Sequence, residues 1–246
     1  MFRTLVTSLL AVLVLCGSAF AAEKTLIAAS NPTWPPMEFL DENKNIVGYD
    51  RDIIAAIAEE LGMKSEFRNI AWDGIFASLE SGQANVIASC VTITEKRKKA
   101  YVFSEPYYEV HQAVVVAKDA AISKPEDLKG KKIGVQIGTT AIEALRKMNV
   151  DIDLRTYDEV GLVFEDMRNG RLDAVVCDDP VAKFYANKKQ EYKGKLHVAF
   201  ITEDVEYYGF AVRQSDKDLV KKLNEGIKAV KEKGLDKQIV ETWIGR

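Results

Sequence analysis

The chain is short of the residues that mark metal and nucleophile chemistry. It holds three cysteines and two histidines in 246 residues. His111 and His197 stand far apart, and no C-x-x-C or H-E-x-x-H spacing occurs. No cofactor or metal is expected. A disulfide scaffold is unnecessary at this length, because a chain of this size can bury a large core. Basic charge is also lacking. The formal net charge is −3, which argues against nucleic acid as a partner, since that binding runs on a basic surface. One apolar run stands out, Leu5 to Leu15, and it falls short of the roughly 20 residues that a membrane helix needs. Low-complexity linkers and short internal repeats are absent.

What the N-terminus does contain sets the compartment. Arg3 supplies a positive start, Leu5–Leu15 an apolar core and Ala19-Phe20-Ala21 an A-x-A cleavage site. That pattern reads as a secretory signal peptide over residues 1–21 and predicts a periplasmic protein. Cys16 raises a lipid anchor, but bulky Leu15 stands where a small residue is preferred, so anchoring is not expected. Removal of the leader takes Arg3 with it and moves the net charge to −4. Cys90 and Cys177 then remain, and the sequence leaves their pairing open.

Strands alternate with amphipathic helices almost throughout, which predicts an α/β fold. Strands are expected at Thr25–Ala29, Val86–Ala88, Tyr101–Phe103, Ala113–Ala117, Lys131–Gln136, Asp173–Cys177, Leu196–Ile201 and Tyr208–Val212. Apolar residues at 53, 54, 57, 58 and 61 predict a helix over Asp50–Leu61, with Gly62 closing it. Further helices are expected at Gly74–Leu79, Ala141–Met148, Asp158–Asn169 and Asp179–Lys189. Two more start at Ser123, as N-cap ahead of Pro125, and at Ser215 in a variant of the capping box. Two similar cycles follow each other without a Pro/Gly-rich spacer. This suits two lobes joined by extended strands, with the C-terminal block packing back on the first.

Thr92-Ile93-Thr94-Glu95-Lys96-Arg97 directly follows the strand at Val86–Ala88. In open α/β sheets, small ligands bind just past the carboxyl ends of strands. Arg97 offers a planar fork of donors that fits a carboxylate. A helix cap at Thr94 and a solvated basic face at Lys96, Lys98 and Lys99 explain the same stretch without a ligand. Glu38 and Asp50 are expected to hydrogen-bond locally, in a loop and at a helix start. Asp178 alone reads equally as the cap of the next helix, Thr139 as an N-cap, and Trp34 and Trp72 as core.

A series of motifs favours the ligand reading. Pro36-Met37-Glu38-Phe39, Gly48-Tyr49-Asp50, Trp72-Asp73-Gly74-Ile75, Thr92-Ile93-Thr94-x-x-Arg97, Phe103-Ser104-x-Pro106-Tyr107-Tyr108, Gly138-Thr139-Thr140 and Asp178-x-Pro180 occur in that order. In this order and spacing the chain resembles the polar amino-acid-binding periplasmic proteins of ABC importers, the family 3 extracellular solute-binding proteins. The resemblance implies a type II periplasmic-binding-protein fold with a ligand cleft between two lobes and a two-stranded hinge. Lobe 1 would comprise residues 22–110 and 206–246, and lobe 2 residues 111–205. The hinge would lie near Tyr108–His111 and Val205–Tyr207.

The resemblance also implies roles. Thr92, Arg97, Thr139 and Thr140 would meet a ligand carboxylate, and Asp178 its ammonium. Ser89 and Cys90 would offer backbone carbonyls to the amine, and Cys90 is larger than the usual residue there. Trp34 and Trp72 would form aromatic walls. Asn31 stands where many relatives carry an acid that reads the side chain, and Gln136 is a second reading position. Cys90 and Cys177 would face each other from opposite lobes, either as free thiols or as a disulfide locking the closed form. The expected ligand is a polar or basic L-amino acid, and the expected partner a membrane ABC permease met transiently by a monomer. No enzymatic role is expected. The rival is a cyclohexadienyl dehydratase-like enzyme with Asp178 as general acid, or a sensor domain.

Overall fold

The computed structural model describes residues 25–245. The leader, its cleavage site and Cys16 lie outside the described residues. The chain runs through β1 (Thr25–Ser30), three short strands β2 (Thr33–Trp34), β3 (Glu38–Leu40) and β4 (Ile46–Val47), then α1 (Tyr49–Glu60) and β5 (Lys64–Asn69). A single 3-10 turn over Trp72–Gly74 leads into α2 (Ile75–Glu80), followed by β6 (Val86–Ile87), α3 (Glu95–Lys98) and β7 (Tyr101–Phe103). After β8 (Tyr108–Val110) a second cycle begins. It comprises β9 (Gln112–Ala117), β10 (Lys132–Gln136), α4 (Ala141–Met148), β11 (Asp153–Tyr157), α5 (Val160–Arg168), β12 (Ala174–Asp178), α6 (Asp179–Lys183) and β13 (Leu196–Ile201). The chain returns through β14 (Glu206–Tyr208) to β15 (Ala211–Arg213), α7 (Lys217–Glu232) and α8 (Leu235–Trp243).

Two five-stranded sheets result, ordered β5-β1-β6-β15-β7 and β11-β10-β12-β9-β13. Each has three parallel strands and then an antiparallel one. In the first sheet that antiparallel strand is β15, from the C-terminal block. In the second it is β9, from the segment that arrives first. The chain therefore crosses between the sheets twice. The two crossings, β8 and β14, pair with each other through Val110–Glu206, Glu109–Tyr207 and Tyr108–Tyr208.

The interior strands are apolar on both faces, as strands covered by helices on both sides must be. All five residues of β12 are buried, as are Gln112 to Val116 of β9. On α1, Ile53, Ile54, Ile57 and Ala58 face inward and meet α7, where Gly226 lets Ile57 approach so closely that a Cβ would lie 2.6 Å from its Cγ2. Asn149 ends α4 in the left-handed conformation, which Asn tolerates better than most residues.

Several elements differ from expectation. The edge strands β5 and β11 are not marked by hydrophobic alternation, because Lys64–Asn69 and Asp153–Tyr157 are mostly polar. The helix expected at Ser123 is only a 3-10 turn over Pro125–Leu128, since Ser123 and Lys124 bind back to the Asp127 carboxylate and close a tight loop. The stretch 179–189 is helical but loosens into a π-helix over Phe184–Lys188, where Phe164 stacks on Tyr185. The expected strand at 208–212 is split between β14 and β15, and Gly209 between them sits against Ile93 and Phe103 without room for a Cβ. Before α7 the Ser215 hydroxyl turns to Asp216 rather than capping the helix.

Candidate functional site

The carboxyl ends of β1, β6, β10 and β12 converge on one cavity. This is the position that open α/β sheets reserve for ligands. Its walls are Asn31, Trp34, Glu38, Trp72, Ser89, Cys90, Thr92, Arg97, Gln136, Thr139, Thr140 and Asp178, and the space between them, open mouth included, is about 350 Å³. Eleven of these are the residues singled out from the sequence, and the structure brings all eleven together. The twelfth, Glu38, was expected to serve only its own loop.

Arg97 rides on α3. Thr94 caps that helix by accepting from the Arg97 backbone N–H at 3.2 Å. The cap and the arginine thus belong to one device. The guanidinium donates to Thr92 O at 2.8 Å and, across the cavity, to Gly138 O at 3.2 Å. It lies over the rings of Trp72 and Phe76, 5.8 and 5.7 Å from their centroids. Burial lowers its pKa from the ordinary value, although neighbouring carboxylates oppose that shift. The Trp72 indole N–H reaches Ile137 O at 3.0 Å. Trp72 is therefore a partner of Arg97 as well as a wall.

On the facing side, Thr139 donates to Gln136 O at 2.8 Å, and Thr140 stands at the start of α4 without capping it by its side chain. The Thr140 and Thr92 hydroxyls are 3.4 Å apart. The Gln136 side chain donates to Asp158 O at 2.8 Å. Asn31 accepts from the Thr33 hydroxyl at 2.8 Å through its side chain, and its N–H donates to Ser89 Oγ at 3.0 Å. Asp178 begins α6 but makes no side-chain cap there. Its carboxylate accepts from Gln112 Nε2 at 2.5 Å and from the Tyr208 hydroxyl. Burial pushes its pKa up to about 7, against the two hydrogen bonds that hold the charged form.

Glu38 and Asp50 are not local helpers. Ser89 and the Cys90 thiol, some fifty residues away, donate to the two Glu38 oxygens at 2.8 and 3.2 Å. Asp50 accepts from Cys90 N at 2.6 Å and from the Tyr107 hydroxyl at 2.8 Å. Together they hold Cys90 in a positive-φ conformation, 49°, that a non-glycine residue seldom adopts. Burial beside Asp50 raises the Glu38 pKa well above the usual carboxylate range, and burial raises Asp50 to about 6. The ligating atoms of Glu38, Asp50 and Cys90 lie within 4.8 Å of one another, close enough to hold a metal ion, yet all three are engaged in the hydrogen bonds just given. Cys90 and Cys177 are both buried and unpaired; only Cys90 lines the cavity.

Two polar residues beside the cavity carry no signal in the sequence. Gln112 on β9 donates to Asp178, and also approaches Thr140 at 3.3 Å and Glu206 at 3.2 Å. Glu206 on β14 accepts the Thr140 hydroxyl at 2.6 Å. Inward alternation along β14, with Tyr207 outward between Glu206 and Tyr208, is the one pattern that could have pointed to Glu206.

The sequence profile of the bacterial extracellular solute-binding proteins, family 3, matches residues 26–246. A probable histidine-binding protein of Neisseria gonorrhoeae is 37% identical over 214 residues, 86% of this chain and 80% of the relative. The ABC transporter arginine-binding protein 1 of Escherichia coli K12 is 35% identical over 92% of this chain and 93% of its own. Among solved structures, an ancestral arginine-binding protein bound to arginine superposes with a TM-score of 0.84 at 39% identity, covering 91% of this chain and 99% of that one. All three are named for binding an amino acid.

Proposed function

The protein belongs to the bacterial extracellular solute-binding proteins of family 3, and we propose that it captures a polar or basic L-amino acid by closure of two lobes and hands it to an ABC permease. In this reading lobe 1 is 22–110 with 206–246, and lobe 2 is 111–205. The leader over 1–21 is removed on export to the periplasm, and the mature protein works as a monomer.

One observation carries the reading. A guanidinium and a carboxylate, Arg97 on α3 beyond β6 of the first sheet and Asp178 at the end of β12 of the second, reach a single cavity. An α-amino acid needs both, at fixed separation. Its carboxylate is taken by Arg97 with Thr92, Thr139 and Thr140, its ammonium by Asp178 and the carbonyls at Ser89 and Cys90. Trp34 and Trp72 flank the side chain, and Asn31 and Gln136 read its end. The ligand then contacts both lobes at once, and that differential contact favours the closed state. The β8–β14 pair is the hinge about which closure occurs.

A thermal-shift screen of the purified protein against the common amino acids tests this. A ligand at a hundred times its dissociation constant raises stability by about 2.7 kcal/mol. No stabilisation by any of them would overturn the proposal.

A further inference from the structure

The bodies built on the two sheets meet at the cavity and again outside it. At the cavity, the Trp72 indole donates to Ile137 O, Arg97 donates to Gly138 O, and the Thr92 and Thr140 hydroxyls face each other. The second meeting joins the π-helical turn after α6 to β3 and the end of α8. The Phe184 ring lies 6.5 Å from the ring of Phe39, tilted by 37°. Four residues on, the Lys188 ammonium donates to Ile244 O at 3.1 Å. Phe39, Phe184, Lys188 and Ile244 are not among the residues that line the cavity.

Each side of this second contact is prepared for it. On the first body, Phe39 meets the edge of the Trp243 ring at 5.7 Å, and the Trp243 indole N–H donates to Asp52 of α1 at 2.7 Å. β3, α8 and α1 are thereby tied into one seat for the incoming ring. α8 has no basic residue in its own last turn. A carbonyl at a helix C-terminus attracts a cation, and here the cation comes from the other body. On the second body, the Lys189 N–H donates to Phe184 O at 2.9 Å, which closes the wide π turn. Such turns are rare and recur at functional sites. Tyr185 turns inward onto Phe164, while half-buried Phe184 and exposed Lys188 reach the first body.

A contact outside the cavity cannot tell one ligand from another. It acts on the balance between open and closed forms, so it changes every affinity by the same factor. Building on the proposed closure of two lobes, we infer that Phe184 and Lys188 are a latch on the closed form, which prolongs the hold on a bound amino acid without touching it. Closure seats Phe184 against Phe39 and Lys188 against the end of α8. Opening has to break both contacts, so the latch acts chiefly on release.

Titration calorimetry and stopped-flow dissociation, with each of the common L-amino acids as probes, test the inference. Phe184→Ala should weaken every probe that the wild type binds by one common factor, about three- to tenfold, mainly through faster dissociation. Lys188→Met should act in the same way by about two- to threefold. Phe39→Ala combined with Phe184→Ala should bind within about twofold of the weaker single variant, because the two rings act on each other. Unchanged affinity and release in both Phe184→Ala and Lys188→Met would overturn the latch. So would a loss that differs from probe to probe, which would place the ring against the ligand, or losses that multiply in the double variant. Lys188 is exposed, so its variant carries the test even if the alanine variants fold poorly. Binding of none of the probes by the wild type would overturn the reading of the cleft itself, and the latch with it.

Discussion

The two sheets have the same strand plan but build different walls. The side of the first sheet gives the cavity its aromatic rings, its guanidinium and a buried acid, through Asn31, Trp34, Glu38, Trp72, Ser89, Cys90, Thr92 and Arg97. The second gives short polar groups and one carboxylate, through Gln136, Thr139, Thr140 and Asp178. The first wall is also braced from within. Arg97 is held by Thr92 O and two rings, and Cys90 by Asp50 and Glu38. On the second wall the Asp178 carboxylate and the Thr140 hydroxyl are held largely by groups on the crossing strand β14, Tyr208 and Glu206. The same topology thus yields a preformed half and a half whose geometry depends on the hinge.

The sharpest way to break this contrast is to remove one charge from each wall. Arg97→Ala and Asp178→Ala should each cost about 3–5 kcal/mol of ligand binding, at least about a hundredfold, because the partner charge is left buried. Calorimetry on both variants checks it. A second pair of changes separates the two bodies by stability. Ala at Gly134 would press on Val163 and Leu172 in the second, and Ala at Gly226 on Ile57 in the first. Each should cost about 1–3 kcal/mol by overpacking, read as a lower denaturant midpoint.

Acidity should act on both walls, on the first through the buried Glu38 and Asp50 and on the second through Asp178. Asp178 must be charged to pair with an ammonium, and its pKa stands at about 7 in the folded protein. Affinity should therefore fall about tenfold per pH unit below 7. For stability the sign is opposite. A carboxyl that titrates near 3.8 unfolded and about 7 folded stabilises the ligand-free fold fully below 3.8, and that contribution is lost as pH rises through 7. Asp178→Asn should flatten the melting temperature between pH 5 and 8. Trp72→Ala removes a ring under Arg97 and a bond to Ile137 O, and should weaken binding by about tenfold or less. The smallest effect is expected outside both walls. Lys98→Ala loses an exposed pair with Glu95, worth about 0.5 kcal/mol or less.

Much of this site was legible in the sequence because its residues cluster in short segments at strand ends. Thr92 and Arg97 sit on one cap and one turn, and Thr139 and Thr140 on one loop. Glu206, Gln112 and the true reach of Glu38 were not legible. Each has a partner fifty or more residues away, and each lies in a strand where its neighbours in sequence point elsewhere. The fold shows the same divide. Buried strands such as β9 and β12 announce themselves as apolar runs, whereas β5 and β11 are edges whose polar residues meet solvent and carry no period.

The crossing strand β14 has a use that its two inward residues create. Glu206 and Tyr208 touch the site, while Tyr207 between them lies on the outer face and is 42% exposed. A fluorophore attached through a cysteine at position 207 would stand outside the cavity, clear of the ligand, on a strand bonded to both of its ends. The protein therefore offers a ready attachment point for an optical amino-acid sensor, one whose signal comes from the backbone between the reporter and the cargo rather than from contact with it.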